Sequence, residues 1–427
     1  MKKLSLLFLL AATPALAQEP VDHSAHQMPA PVMDHAMHGM AMPPMQGVLG
    51  PYAMSREASG TSWQPEAAPH AGIHLEDTGD WMVMWHAKLL AVADSQSGPR
   101  GDSMGFATGM AMGMASTPLA SGGTLALRGM LSLDPFMGKR GYPLLLAAGE
   151  TADGVTHLVN RQHPHELVME MSASVSQKLS QGDSLFLYVG YPGEPALGPG
   201  AYMHRPSALD NPATPITHHW LDSTHITFGV ATAGFVHDQW KFEVSQFTGR
   251  EPDQFRFDFD EARFDSTALR LTFNPAQNWS LQASLGWLKS PEALHAADNE
   301  QRATISATWF ETFSFGSLGV TAAFGNKRLS DGESTNAGLV EATWKPDAGW
   351  SLFARGEAIE SGELVPEPGL FTAGEISVGV VRDVQLSEHF TLGMGGLYAF
   401  NFAPSSVLGA YGGAPRGAMA FLRLVAE

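Results

Sequence analysis

The chain has 427 residues, no cysteine, 45 glycines, 28 prolines and a formal net charge of −18. That length admits several soluble domains or one large barrel, the missing cysteine removes disulfide staples and thiolate metal ligands, and the acidic balance argues against nucleic acid as a partner. No stretch after the leader is apolar over the roughly 18 residues a membrane helix needs, so an exported chain of this kind enters a membrane only as a closed barrel.

Residues 1–17 carry two lysines, an apolar core and the ending Ala15-Leu-Ala17, the pattern of a secretory signal peptide cleaved after Ala17. Residues 18–47 follow as a tail holding His23, His26, Met28, Met33, His35, Met37, His38, Met40, Met42 and Met45, beside Asp22 and Asp34. The tail has no aromatic residue and no helical or strand period, so it is expected to stay unfolded by itself. Imidazole binds Cu(II) and Zn(II), whereas thioether selects Cu(I), and methionine is oxidation-prone in an exported segment. The composition therefore points to copper or a related soft metal held at several exchanging sites; a solvated tail without a ligand is the plainer reading. Residues 48–79 are irregular, either a linker or a plug-like segment.

From residue 80 to residue 427 apolar and polar residues alternate. Strands are expected near 80–94, 103–117, 122–134, 165–179, 183–191, 225–237, 239–250, 264–274, 278–288, 301–312, 316–328, 335–345, 350–361, 371–384, 389–401 and 416–425. The clearest is Trp279-Ser-Leu-Gln-Ala-Ser-Leu-Gly-Trp287, with an apolar face ended by tryptophans and a small or polar face. Such a strand crosses a bilayer when tilted, its aromatics at the two interfaces. Short turns such as residues 181–183, 237–238 and 274–278 alternate with long connections such as residues 135–164 and 192–224. This sorting predicts an all-β fold, a transmembrane antiparallel β-barrel of about 16 strands, with both chain ends on the short-turn, periplasmic side. Arg270, Arg302, Arg355, Glu341 and Glu357 fall on inward faces and are expected to keep a lumen hydrated. The chain ends Phe421-Leu-Arg-Leu-Val-Ala-Glu427, without the terminal aromatic residue common in such barrels.

Further metal candidates lie in the barrel region. Met82, Met84 and His86 share a strand face opposite Trp81, Val83 and Trp85, so the Met-Met-His face should point inward. Met110, Met112 and Met114 share another face, for which lipid and lumen remain equally open, and Met130 joins the wet face of the third strand; as filler or as soft ligands these methionines fit either way. Two long connections carry histidines beside carboxylates: His157, His163, His165 and Glu166 in one, His204, Asp210, His218, His219, Asp222 and His225 in the other. Of these, His163, His165, His218 and His219 are the metal candidates, against the plainer reading of polar loops that bond to one another and narrow a pore. Ser223 beside His225 gives only a faint hint of a nucleophile.

The tail resembles that of the bacterial copper-resistance outer-membrane protein B family, which implies a Met/His-rich periplasmic segment that binds copper. Gly141-Tyr-Pro-Leu-Leu-Leu146, Arg161-Gln-His-Pro-His165 and His218-His-Trp-Leu-Asp-Ser-Thr-His225 look like a barrel family associated with metal-resistance loci, with no established activity. The expectation is thus a non-catalytic outer-membrane barrel in metal resistance or transport. Its partners would be membrane lipid, metal ions and periplasmic metal carriers, with copper the one implied cofactor. The alternatives are a porin-like channel for small solutes and an outer-membrane enzyme using the loop histidines.

Overall fold

A computed structural model describes residues 45–70, 72–347 and 349–427. The tail positions His23, His26, Met28, Met33, His35, Met37, His38, Met40 and Met42 lie outside them. In chain order the strands are β1 (Ile73–Leu75), β2 (Met82–Gln96), β3 (Ser103–Pro118), β4 (Gly123–Ser132), β5 (Tyr142–Thr151), β6 (His157–Gln162), β7 (Val168–Lys178), β8 (Asp183–Gly190), β9 (Val230–His237) and β10 (Trp240–Phe247). They continue with β11 (Ser266–Phe273), β12 (Trp279–Leu288), β13 (Glu300–Phe313), β14 (Gly316–Leu329), β15 (Ser334–Asp347), β16 (Trp350–Ser361), β17 (Phe371–Gln385), β18 (Phe390–Phe402) and β19 (Arg416–Ala426).

β2 to β4 and β7 to β19 pair antiparallel, each with its neighbour, and β19 returns to β2 through Leu424↔Leu89, closing a sixteen-stranded barrel. Closure leaves no unpaired edge in the wall, the condition for β-structure in hydrocarbon. The alternation read from the sequence becomes inside and outside: Trp279 (40%), Leu285 and Trp287 (45%) face outward, whereas Ser280 and Ser284 are buried inward. Trp240 stacks on Phe273 at 4.0 Å, and Trp279, Trp309 and Phe313 follow along the short-turn rim, forming an aromatic girdle.

The lumen is filled. Residues 45–70 run inside the barrel, where Ser176 Oγ donates to the Val48 carbonyl at 2.7 Å, Ser184 Oγ to the Leu49 carbonyl at 2.8 Å and Arg270 Nη2 to Thr61 Oγ1 at 2.8 Å. Lys241 Nζ and Arg128 Nη2 cap the Thr61 and Gly60 carbonyls. A second insertion, residues 191–229, crosses the barrel: the Gly198 amide donates to Ser284 Oγ at 2.9 Å, and Thr217 donates through its amide and hydroxyl to Glu357 Oε2 at 3.0 and 2.8 Å. The third is the β5–β6 hairpin, whose Leu144, Leu145 and Leu146 are buried in the largest apolar cluster.

Three expectations change here. The inward charges pair with one another. Arg355 bonds to Glu341 at 2.9 Å, which also takes Arg205 of the second insertion at 2.6 Å, and Arg302 pairs with Glu300 at 2.6 Å. Barrel wall and inserted chain surround these ions, and pairing is how buried charge is held, although Arg302 Nη2 and Arg355 Nη2 have no hydrogen-bond partner in the protein. The strand expected from residue 225 begins at Val230, because Ile226 turns into the luminal methionine cluster and Phe228 packs against Tyr191 and Phe259 before the wall resumes. The connection 135–164, read as loop, holds the β5–β6 hairpin; its run Tyr142-Pro-Leu-Leu-Leu146 was the apolar signal for it.

Candidate functional site

Histidines from the second insertion and from the end of the β5–β6 hairpin meet in the lumen. His218 and His219 start the single-turn helix α1 (His218–Leu221), and His225 closes the next turn. His163 and His165 lie between β6 and β7. His163 stands 5.3 Å from His219 and 6.0 Å from His218 between ring centroids, His218 stands 5.2 Å from His225, and His225 stands 5.1 Å from His165. The four histidines picked from the two long connections are thus brought together, with His225 as a fifth.

Each imidazole has a fixed partner on one nitrogen. His165 Nδ1 lies 2.8 Å from Asp134 Oδ2, His218 Nδ1 2.8 Å from Asp222 Oδ1 and His225 Nδ1 2.7 Å from the Asp222 carbonyl. His163 Nε2 approaches Glu150 Oε1 at 3.1 Å, and His219 Nδ1 approaches Glu251 Oε1 at 3.5 Å. Binding Nδ1–H to an acceptor sets the tautomer and leaves Nε2 with its lone pair available. His165 Nε2 and His225 Nε2 are buried and have no hydrogen-bond partner in the protein.

The surrounding charges are held in turn. Arg205 Nη1 binds Asp222 Oδ2 at 2.7 Å, and Arg256 binds both Glu166, at 2.7 Å, and Glu150. Burial pushes the pKa of His163, His218 and His225 below the usual imidazole range. Burial also opposes charge on His219, but Glu251 outweighs it and the net shift is upward. Asp222 is held below the ordinary carboxylate range: burial alone would raise it, and Arg205 and His218 reverse that. His163, His218 and His225 are thus favoured in the neutral form that ligates metals. Gly149, at φ +127°, makes room for it, since a Cβ there would fall 2.8 Å from His219 Nε2.

The donor set suits a transition metal better than a hard cation. It is not drawn in around one point: among the described residues, the group of three carboxylates or imidazoles whose ligand atoms lie within 4.8 Å of one another is Asp253, Asp258 and Asp260, at the surface. A metal at the histidines would require small side-chain rotations or would be shared by pairs of rings. Ser223 does not face a histidine. Its hydroxyl donates to Glu251 Oε1 at 3.0 Å and accepts from Arg302 Nη1 at 2.9 Å, so the Ser223–His225 nucleophile hinted at by the sequence is not formed.

Below the cluster, toward the short-turn end, the lining turns to sulfur. Met110, Met130 and Met169 are buried together, with Met112 and Met203 packed on them. His165 shares a cavity of about 70 Å³ with Met110, Met169 and Met203. A larger cavity, about 410 Å³, is lined by His70, Met84, His86, Met112, Met114 and His204. Met84 and His86 thus face inward as expected, and the open choice for Met110, Met112 and Met114 resolves to the lumen. Met82 packs beside Met84 on the apolar cluster around Trp63. Met45, the one tail candidate within the described residues, is exposed, its carbonyl accepting the Met54 amide at 2.7 Å. His225, His204, Met169 and Met203 were not picked from the sequence; loop histidines beside Asp222 and Asp210 were the available signal for the first two, and neither methionine had one.

No protein-family model matches the chain, and no curated protein matches it, so the resemblances drawn above rest on the sequence segments alone. Among solved structures, Salmonella typhi OmpF in complex with daunomycin superposes with a TM-score of 0.54 at 12% identity, over 83% of this chain and 100% of that one. OprB of Pseudomonas putida, in a high-pH structure, gives 0.48 at 9% identity, over 81% and 94%. OmpT of Vibrio cholerae gives 0.46 at 9%, over 83% and 100%. The likeness to OmpF is one of fold: this chain is a transmembrane β-barrel of the outer-membrane type, with a porin-like wall.

Proposed function

We propose that this outer-membrane barrel binds a soft or borderline transition metal, copper foremost, in its lumen, and does so as a non-catalytic protein of metal resistance or transport. The observation that carries this reading is the five-imidazole cluster, with Nδ1 of His165, His218 and His225 committed to acceptors and Nε2 of His165 and His225 buried without a partner. Leaving a polar atom unpaired in a buried site costs about 1–3 kcal/mol, and a metal ligand is one reason to retain it. His163 and His219 would complete the imidazole set, and the Met110–Met130–Met169 group beside it favours Cu(I). In this reading the long-loop end faces outward and the Met/His-rich tail is periplasmic. Its His23, His26, Met28, Met33, His35, Met37, His38, Met40 and Met42, with Met45, exchange metal with periplasmic carriers.

The second reading is a porin-like channel for small solutes with no metal role. The wall shared with OmpF favours it, as do cavities of about 410 and 310 Å³ toward opposite ends of the lumen. Fold by itself does not choose between them.

Purified full-length protein in detergent should bind Cu(I) and Cu(II), and the triple variant His165→Ala/His218→Ala/His225→Ala should bind at least one equivalent fewer while remaining a folded barrel. Equal binding by the two would remove the luminal metal site. Ohmic single-channel current through the wild type in metal-free bilayers, with no effect of added copper, would favour the channel.

A further inference from the structure

At the long-loop mouth, away from the luminal cluster, two histidines that the sequence reading did not assign stand face to face. His157 begins β6, at the outer tip of the β5–β6 hairpin, and His295 sits in the connection between β12 and β13. Their Nε2 atoms are 3.2 Å apart and their ring centroids 5.1 Å, with the planes tilted by 43°. On the far side of each ring lies a carboxylate: Glu363 Oε2 is 3.6 Å from His157 Nδ1, and Asp298 Oδ2 is 3.8 Å from His295 Nδ1.

We propose that His157 and His295 form a second, surface-side metal site that clamps the hairpin tip to the β12–β13 connection around a divalent cation of imidazole preference, Zn(II) or Cu(II). Two nitrogens about 2.0–2.1 Å from a tetrahedral ion sit roughly 3.3 Å from each other, and their ring centroids roughly 5.2 Å. Both values match the observed pair closely. A straight N–H···N hydrogen bond at the same nitrogen separation would set the centroids roughly 5.5 Å apart. The carboxylates behind Nδ1 are where acceptors stand when they orient a ligating imidazole through its other nitrogen.

Burial adds a second observation. Glu363 Oε2 is a buried oxygen with no hydrogen-bond partner, although the side chain as a whole is about one-third exposed. When Nε2 takes a metal, His157 carries its proton on Nδ1 and, with a side-chain rotation that closes the 3.6 Å gap, becomes a donor to that oxygen. The site also borders a cavity of about 310 Å³ whose lining includes Glu292, Asp331, Glu333 and Glu360 against the single cation Lys327, with His219 at its inner end. An acidic mouth concentrates cations near the pair, so two imidazoles suffice as fixed ligands, with water or a neighbouring carboxylate completing the shell.

The pair lies on exposed loops, so its removal leaves the barrel intact, and the site stands whether or not the luminal cluster binds metal. Zn²⁺ uptake by full-length protein in detergent, measured by equilibrium dialysis with elemental analysis, tests it. His157→Ala and His295→Ala should each take up one equivalent less than wild type, and the double variant should lose that same one equivalent rather than two. Glu363→Gln should retain the site with about 10- to 100-fold weaker affinity. Wild-type uptake by both single variants, or a loss of two equivalents in the double, would overturn the clamp. The luminal triple variant, run beside them, keeps the two readings apart: should its copper binding equal that of wild type, the luminal reading fails while the Zn²⁺ loss in the mouth variants still stands.

Discussion

Asp222 serves three partners at once: Oδ1 accepts from His218 Nδ1 at 2.8 Å, and Oδ2 from Arg205 Nη1 at 2.7 Å and from the Tyr202 amide at 2.8 Å. Through Arg205 the same carboxylate is tied to Glu341 on the wall, so the orientation of a cluster histidine and the anchoring of the second insertion depend on one side chain. Asp222→Asn removes the charge and one acceptor while keeping the shape. Breaking a buried ion pair on one side costs about 3–5 kcal/mol, so the variant should unfold at clearly lower denaturant in micelles. Under the proposed function its copper affinity should also fall about 10- to 100-fold. Wild-type unfolding would mean that Glu341 alone holds Arg205.

Acid should loosen the luminal cluster. His163, His218 and His225 have pKa values lowered by burial, so between the ordinary imidazole value of about 6.5 and their lower folded values the unfolded segment binds protons that the folded one does not. Stability contributed by these three is present above about pH 6.5 and is lost as pH falls through that window. His219, shifted upward by Glu251, works the other way, its contribution being lost as pH rises through its folded pKa. Three outweigh one, so protection of the amides in residues 191–229, taken relative to the intrinsic exchange rate at each pH, should be lower at about pH 5 than at about pH 7.5. Unchanged protection would show that the insertion is held by its wall contacts alone.

Gly149 should tolerate no side chain. At φ +127° a Cβ meets the His219 ring at 2.8 to 3.1 Å, so Gly149→Val combines backbone strain with overpacking. Destabilisation of about 1–3 kcal/mol is expected, read as a lowered unfolding midpoint. A neutral substitution would mean that the hairpin can swing away from α1.

Residues 45–70 should help to occlude the barrel. Their carbonyls at Val48, Leu49, Gly60 and Thr61 are bonded by Ser176, Ser184, Arg128 and Lys241. Deleting residues 45–68 frees those wall groups to water and should raise single-channel conductance in planar bilayers above that of the full chain. Equal conductance would leave the crossing insertion, residues 191–229, and the β5–β6 hairpin as the barrier.

The sequence by itself determined the wall. Strand faces are encoded locally, by a period of two, so Leu285 and Trp287 outside with Ser280 and Ser284 inside could be read from nine residues, and sixteen such segments with turns sorted by length give a barrel. The same local rule sent Met84 and His86 inward. It could not say what those inward faces meet. Arg270, Arg302 and Arg355 look alike on a strand whether they face water or a carboxylate, and only tertiary structure decided that Glu243, Glu300 and Glu341 take them in a filled lumen. The histidine cluster is further still from local reading. Asp134, Glu150 and His165 come from the connection between β4 and β7, His218 from that between β8 and β9 and Glu251 from that between β10 and β11, with no period linking them, and they are neighbours because closing the barrel forces the long insertions into one interior.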